Sequence, residues 1–267
     1  MSEKKRIDLL LFEKGLTPSR ERAKTSVMSG LVFVDGVRVD KPGTAVPVDA
    51  RIEVKGPELP FVSRGGLKLE KALDRFGIDV AGFACADVGA STGGFTDCLL
   101  KRGAARVYAI DVGYGQLAWN LRNDPRVTVM ERTNIRLLEP EAIPEKLSFA
   151  SIDVSFISLR LVLPPVSALL LPGAEVVCLV KPQFEAGRGK VGKKGVVRDP
   201  AVHVDVLDNF LRDADTAGFC VKDLTFSPIT GPEGNIEFLA HLARGESAPI
   251  DIRAVVDDAH RSLSPEK

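Results

Sequence analysis

The 267-residue chain predicts an α/β fold: an open, mostly parallel, doubly wound sheet, preceded by a small α+β module. Three observations lead there. Between residues 82 and 181, apolar runs of strand length alternate with helical stretches, the pattern of repeated βαβ units. Val176, Val177, Cys178, Leu179 and Val180 form an unbroken apolar run, as expected of a strand buried on both faces of a parallel sheet. The first sixty residues instead read as two short helices and a hairpin.

In that first part, "RIDLLLFEKGL" places Ile7, Leu10, Leu11 and Leu16 at helical spacing, with Gly15 as a stop signal. A second helix follows, with Thr17 as its expected N-cap, Pro18 at its first position and Gly30 at its end. "LVFVDGVRV" is two short β-branched runs around Asp35 and Gly36, a hairpin signal. Arg6, Arg20, Arg22 and Lys24 lie on or between the helices; they form either a basic binding face or merely the solvated sides of two amphipathic helices. "KGPELP", residues 55–60, reads as a linker. The expected division is therefore 1–60, 61–245, and a partly helical tail, 246–267.

The strand candidates beyond the linker are 82–89, 106–113, 127–132, 147–154 and 174–181, with a helix over 200–218. Ligands of such sheets bind outside the carboxyl ends of the strands, so the polar residues there carry the functional expectation. After the first strand, "DVGASTGGF" supplies Gly89, Gly93 and Gly94 for a tight turn that lets backbone N–H groups approach a ligand. Asp87 precedes the turn, and Asp111 ends the next strand eighteen residues beyond Gly93, where a carboxylate accepts ribose hydroxyls in dinucleotide folds. The Gly-x-x-x-Gly-Gly spacing is not G-x-G-x-x-G, which favours an adenosine-type cofactor other than NAD. Asn134 follows the third strand, within reach of an adenine edge. Asp153 and Lys181 end the fourth and fifth, facing one crevice, either as working groups or as an exposed ion pair. Lys68, on the helix opening this domain, and Glu237, in an apolar run near its end, complete a set of four; a buried glutamate needs a partner.

Bulk properties narrow the field. Lys plus Arg and Asp plus Glu both number 36, so overall charge indicates no polyanion partner, but residues 181–198 hold six basic side chains against Glu185 alone. Basic blocks of this kind suit phosphate backbones. The cysteines (Cys85, Cys98, Cys178, Cys220) form no C-x-x-C pair and the three histidines are far apart, so neither disulfides nor a metal site is expected. No run approaches the ~18–20 apolar residues of a membrane span, and the N-terminal apolar run is too short for a secretion signal. A cytoplasmic protein is expected.

Two resemblances sharpen these readings. "RIDLLLFEKGL…SRERAKTSVMSGLVFVDGVRV" resembles an S4 domain, a small RNA-binding module. Residues 61 to 245 resemble the FtsJ/RrmJ-type ribose 2′-O-methyltransferases, and with "VSRGGLKL", "DVGASTGGFTDCLL", "IDVSFISL" and "VKPQFEAG" in order the chain is similar to the TlyA (hemolysin A) family. The resemblance implies a class I methyltransferase fold, S-adenosylmethionine as cofactor, cytidine ribose in ribosomal RNA as substrate, and ribosomal RNA or ribosomal subunits as partner, with no membrane involved. It maps a catalytic tetrad onto Lys68, Asp153, Lys181 and Glu237. The cofactor set becomes Asp87, Gly89, Ser91, Thr92, Gly93, Gly94, Asp111, Asn134 and Asp153. The RNA-binding set becomes Arg6, Arg20, Arg22, Lys24, Arg64, Arg188, Lys190 and Lys193. Lys181 is the expected general base: free lysine, with a pKa near ~10.4, is protonated at neutral pH, and desolvation beside a second ammonium, that of Lys68, lowers such values. Three other readings compete. A dinucleotide-dependent oxidoreductase leaves the four-residue set without a purpose; a non-catalytic RNA-binding or assembly factor has no need of an intact set; a membrane-lysing protein lacks an apolar or cationic amphipathic helix.

Overall fold

A computed structural model describes residues 3–28, 30–55, 59–192, 194–231 and 233–263. The chain packs as two compact units, Met1–Gly66 and Leu67–Lys267. The boundary thus falls beyond the expected linker, whose Gly56, Pro57 and Glu58 lie outside the described residues.

In the first unit, β1 (Lys4–Arg6) pairs antiparallel with β4 (Ala45–Pro47). Helices α1 (Ile7–Glu13) and α2 (Arg20–Met28) pack on each other, and β2 (Val32–Val34) lies between β3 (Val37–Val39) and β5 (Ile52–Val54). Ile7, Leu11, Ala23, Val27 and Val32 are its fully enclosed apolar side chains; burying each large aliphatic contributes roughly 1.5–3 kcal/mol. Asp35 and Gly36 both take positive φ, 50° and 81°, the two-residue turn whose twist suits a hairpin. Asp35 also accepts the Arg51 N–H at 3.0 Å. Two expectations change. The α2 cap is Ser19, whose Oγ accepts the Arg22 N–H at 3.1 Å, while the Thr17 hydroxyl donates to the Ser19 carbonyl at 3.3 Å. Leu16 lies beyond the end of α1 and is 42% exposed, because the chain leaves the helix before the next apolar turn.

Helix α3 (Gly65–Phe76) begins two residues before the boundary, and the second unit then builds a sheet from β6 (Ala84–Val88), β7 (Arg106–Ile110), β8 (Val127–Met130), β9 (Leu147–Ile152), β10 (Leu170–Val180), β11 (Cys220–Phe226) and β12 (Phe238–Ala243). Its order is β11-β12-β10-β9-β6-β7-β8. Strands β6 to β10 are parallel, and β12 runs antiparallel to both neighbours. The connecting helices are α4 (Gly94–Lys101), α5 (Trp119–Arg122), α6 (Leu163–Leu169), α7 (Pro182–Glu185), α8 (Pro200–Thr216) and α9 (Ile252–Leu263). Chain order reverses at β6, which sits between β9 and β7; this switch point is where open α/β sheets bind ligands. Val176 to Val180 are 0–1% exposed, the two-sided burial their uninterrupted apolarity predicts. Asp199 caps α8 by accepting the Ala201 N–H at 2.9 Å, with Pro200 next.

Three features differ from the sequence reading. Strand β10 starts at Leu170, with a register shift against β9 between Leu170 and Glu175. Strand β11 was not expected; its alternation is interrupted by a shift between Val221 and Asp223. The tail is partly helical, as expected, but its helix α9 is no loose appendage: Val256 and Ala259 are fully enclosed in the main core. Among the described residues, no helix is long and apolar enough to cross a membrane.

Candidate active site

At the carboxyl end of β6 the backbone turns through Gly89 at φ +87°. Val88 pairs with Ile152, so Gly89 and Asp153 emerge side by side. A Cβ on Gly89 would lie 2.3 Å from the Asp153 carbonyl oxygen, a contact only glycine avoids. Ser91, also at positive φ (49°), donates its N–H to Asp111 Oδ2 at 2.7 Å, and Gly113 donates to Oδ1 at 2.7 Å. The Asp111 carboxylate thereby ties the turns after β6 and β7 together. Each of its oxygens keeps a lone pair for a further donor.

These turns wall a cavity of about 440 Å³ lined by, among others, Gly89, Ser91, Asp111, Asn134, Asp153 and Phe156. The size lies within the range of ordinary ligand pockets, ~300–1,000 Å³. A carboxylate at the end of the second strand and a side-chain-free approach at Gly89 fit a nucleoside-bearing cofactor. Asn134 caps the turn that follows β8, its Oδ1 accepting the Arg136 N–H at 3.1 Å. Thr92, Gly93 and Gly94 do not line this cavity. Gly93, at φ +93°, instead leaves room for Leu121 and Leu117, which a Cβ would meet at 2.4 and 2.8 Å.

Asp87 lies behind the wall, fully enclosed. Thr96 donates its hydroxyl to Oδ2 at 2.6 Å, and Ser151 reaches Oδ1 at 3.4 Å. Burial raises this carboxyl to about 7, against the Thr96 bond that lowers it. Through Thr96 and Ser151 it ties β6 to α4 and β9, and it does not line the cavity.

Next to the cavity the four charged residues converge. Lys181 Nζ is 2.6 Å from Asp153 Oδ1 and donates to Ser155 Oγ at 3.1 Å. Lys68 Nζ is 2.6 Å from Glu237 Oε2, and Gln183 Nε2 donates to Glu237 Oε1 at 3.2 Å. Both lysines and Glu237 are buried, with relative exposures of 8%, 8% and 2%. Burial pushes the Asp153 carboxyl upward, but Lys68 and Lys181 together outweigh that and hold it below the ordinary carboxylate value. Asp153 therefore feels both amines, and the two ion pairs form one cluster. The topology explains the meeting. Strand β12 is reversed, and Val180 pairs with Phe238, so the residue before β12 stands beside the residue after β10. Glu237 precedes the strand instead of lying within it.

Sequence reading missed Ser155, Gln183 and Glu185, each within four residues of Asp153 or Lys181. Glu185 accepts the Ser158 hydroxyl at 2.7 Å and the Leu159 N–H at 2.8 Å, holding the loop after β9; burial raises its carboxyl despite these bonds. Phe156, in that loop, is 90% exposed at φ +64°. Among the described residues, no group of three or more His, Cys, Asp or Glu is placed to hold a metal ion.

The basic residues are placed as follows. Arg6 and Arg20 share Asp8, Lys24 pairs with Glu21 at 2.9 Å, and Arg22 donates to the Leu59 carbonyl at 3.1 Å. Arg64 is half-buried in the first unit. In the second unit, Arg188 and Lys190 bound a single 3₁₀ turn, with Lys190 2.6 Å from Asp205. Lys193 lies outside the described residues.

Comparison with known proteins agrees with this architecture. The FtsJ-like methyltransferase family matches residues 61–244 and the S4 domain family residues 5–52. The second unit is thus a methyltransferase of the class that uses S-adenosylmethionine. The chain is 46% identical, over 99% of both lengths, to the 16S/23S rRNA (cytidine-2′-O)-methyltransferase TlyA of Mycobacterium tuberculosis. It is 44% identical to Hemolysin A of Brachyspira hyodysenteriae over 88% of this chain and 98% of that protein. A solved structure from Streptococcus thermophilus, described as a hemolysin, matches with a TM-score of 0.78 at 50% identity, covering 98% of each chain. The chain belongs to the TlyA (hemolysin A) family of S4-bearing, FtsJ-like methyltransferases.

Proposed function

We propose that the chain methylates the ribose 2′-hydroxyl of cytidine in ribosomal RNA, with Lys181 as general base within the cluster Lys68, Asp153, Lys181 and Glu237. The observation that carries this reading is the pair of buried amines, each held by its own carboxylate, beside a nucleoside-sized cavity. Bound S-adenosylmethionine supplies an electrophilic methyl group, and Gly89, Ser91, Asp111 and Asn134 would hold it.

A 2′-hydroxyl is a weak nucleophile until its proton is drawn off. Lys181 Nζ, oriented by Asp153 and Ser155, is the group placed to accept that proton. Lys68, fixed by Glu237, presents a positive charge to the oxygen as negative charge develops on it. Gln183 holds the other Glu237 oxygen and keeps that carboxylate turned toward Lys68. Positioning of the hydroxyl against the donor supplies a large further share of the rate. The S4-like unit contributes salt-dependent affinity for RNA phosphates and no chemistry. Among the described residues, no helix is long and apolar enough to cross a membrane.

Mapping of 2′-O-methyl groups in 16S and 23S rRNA from cells with and without this protein tests the reading. Loss of one or more methylated cytidines on deletion, restored by the wild-type chain and not by Lys181→Ala, is expected. An unchanged methylation map would refute it.

A further inference from the structure

Asp8, in the first turn of α1, is a carboxylate with no exposed surface inside a unit of 66 residues. Arg6 donates twice, Nε to Oδ1 at 2.9 Å and Nη2 to Oδ2 at 3.0 Å. Arg20 adds Nε to Oδ2 at 3.3 Å, and the Leu9 N–H donates to Oδ1 at 3.0 Å. The two arginines come from different elements, the end of β1 and the first residue of α2. Their side chains nevertheless stay 49% and 46% exposed. Two cations share one enclosed anion, so the group keeps a positive charge, and that charge is on its outer side.

A guanidinium carries five N–H donors in a rigid fork. Arg6 commits two to Asp8 and Arg20 one, so most donors of each fork are not used on Asp8, and the side chains that carry them are 49% and 46% exposed. Forks of this kind match phosphate oxygens in a bidentate manner. Holding them in place beforehand removes the ordering cost that two mobile arginines would meet on binding.

We propose that Asp8 is a positioning residue that aligns Arg6 and Arg20 as one clamp for a single backbone phosphate of the RNA. This rests on the reading that the S4-like unit binds RNA. It makes a prediction that charge alone reverses. If Asp8 only diluted a basic surface, its removal would tighten RNA binding; as an organiser of the clamp, its removal loosens it.

The test is binding of the full-length chain to 16S and 23S rRNA purified from bacterial ribosomes, measured over a range of salt concentrations. Arg6→Ala and Arg20→Ala should each lower the slope of log affinity against log salt by about 0.7–0.9, the share of one phosphate. The double variant should lower it no further. Asp8→Asn should weaken binding on the order of tenfold although it removes a negative charge. Thermal melting reports whether Asp8→Asn is folded. If it is not, Arg6→Lys decides, since it keeps the charge and loses the fork; it should bind as weakly as Arg6→Ala. Additive slope losses in the double variant, undiminished binding by folded Asp8→Asn, or wild-type affinity in Arg6→Lys would each overturn the clamp. A wild-type chain with no rRNA affinity would bring down the RNA reading itself, and the clamp with it.

Discussion

At Gly89 a Cβ would sit 2.3 Å from the Asp153 carbonyl oxygen, on a backbone at φ +87°. Gly89→Ala should therefore lower stability by about 2 kcal/mol or more and weaken S-adenosylmethionine binding, read by thermal melting and calorimetric titration. Lys181 makes the complementary case, where the side chain and not its absence is required. Lys181→Ala should reduce kcat on the order of 10²–10⁴ while donor binding stays near the wild-type value. Lys181→Arg is more informative. It keeps a cation opposite Asp153, yet a guanidinium gives up no proton near neutral pH and so cannot accept one. It should be as inactive as the alanine variant, and substantial turnover by Lys181→Arg would exclude the general-base role. Lys68→Ala leaves Glu237, 2% exposed, without its 2.6 Å partner; loss of methyl transfer together with loss of stability is expected.

Helices α8 and α9 are joined by a polar contact between two histidines. His203 Nδ1 lies 2.9 Å from His260 Nε2, and the His203 ring stands edge-on to Phe238 with centroids 5.4 Å apart. Burial, helped by the neighbouring His260, pushes His203 down to about 4. The unfolded chain therefore takes up this proton first as pH falls. The resulting stability is fully present above the ordinary histidine value of ~6.5 and is lost between there and about 4, by roughly 3 kcal/mol in all. Urea unfolding across that window should show the decline, and His203→Phe should flatten it. An identical slope in the variant would mean that other groups carry the acid sensitivity.

Over the whole molecule, formal charge is zero, so any attraction to RNA must be local. The affinity of the full chain for rRNA should fall steeply with salt, while its affinity for S-adenosylmethionine should change little over the same range. Equal salt sensitivity of both would argue against separate RNA and cofactor surfaces. The sheet shows why one rim serves the chemistry. Parallel strands deliver Gly89, Asp111, Asp153 and Lys181 to the same side, and the reversed β12 returns Glu237 to it.

Much of this was legible in one dimension, because strand apolarity, glycine turns and the hairpin at Asp35-Gly36 follow from nearest-neighbour sterics and burial. The strand ends could be found that way, and with them the rim residues. What the chain order could not convey was pairing. Which lysine faces which carboxylate depended on β12 running backwards in register with β10, a long-range contact with no local signature. The same holds for Asp87, whose position behind the wall reflects packing depth, and for Asp8, which looks like any first-turn acid until two arginines from separate elements close on it. The residue pattern by itself determined the layered α/β unit, its small α+β companion and the catalogue of polar residues at the strand ends. Only the tertiary structure decided how those groups combine, since ion pairing and burial are set by distances between segments that lie up to 169 positions apart along the chain.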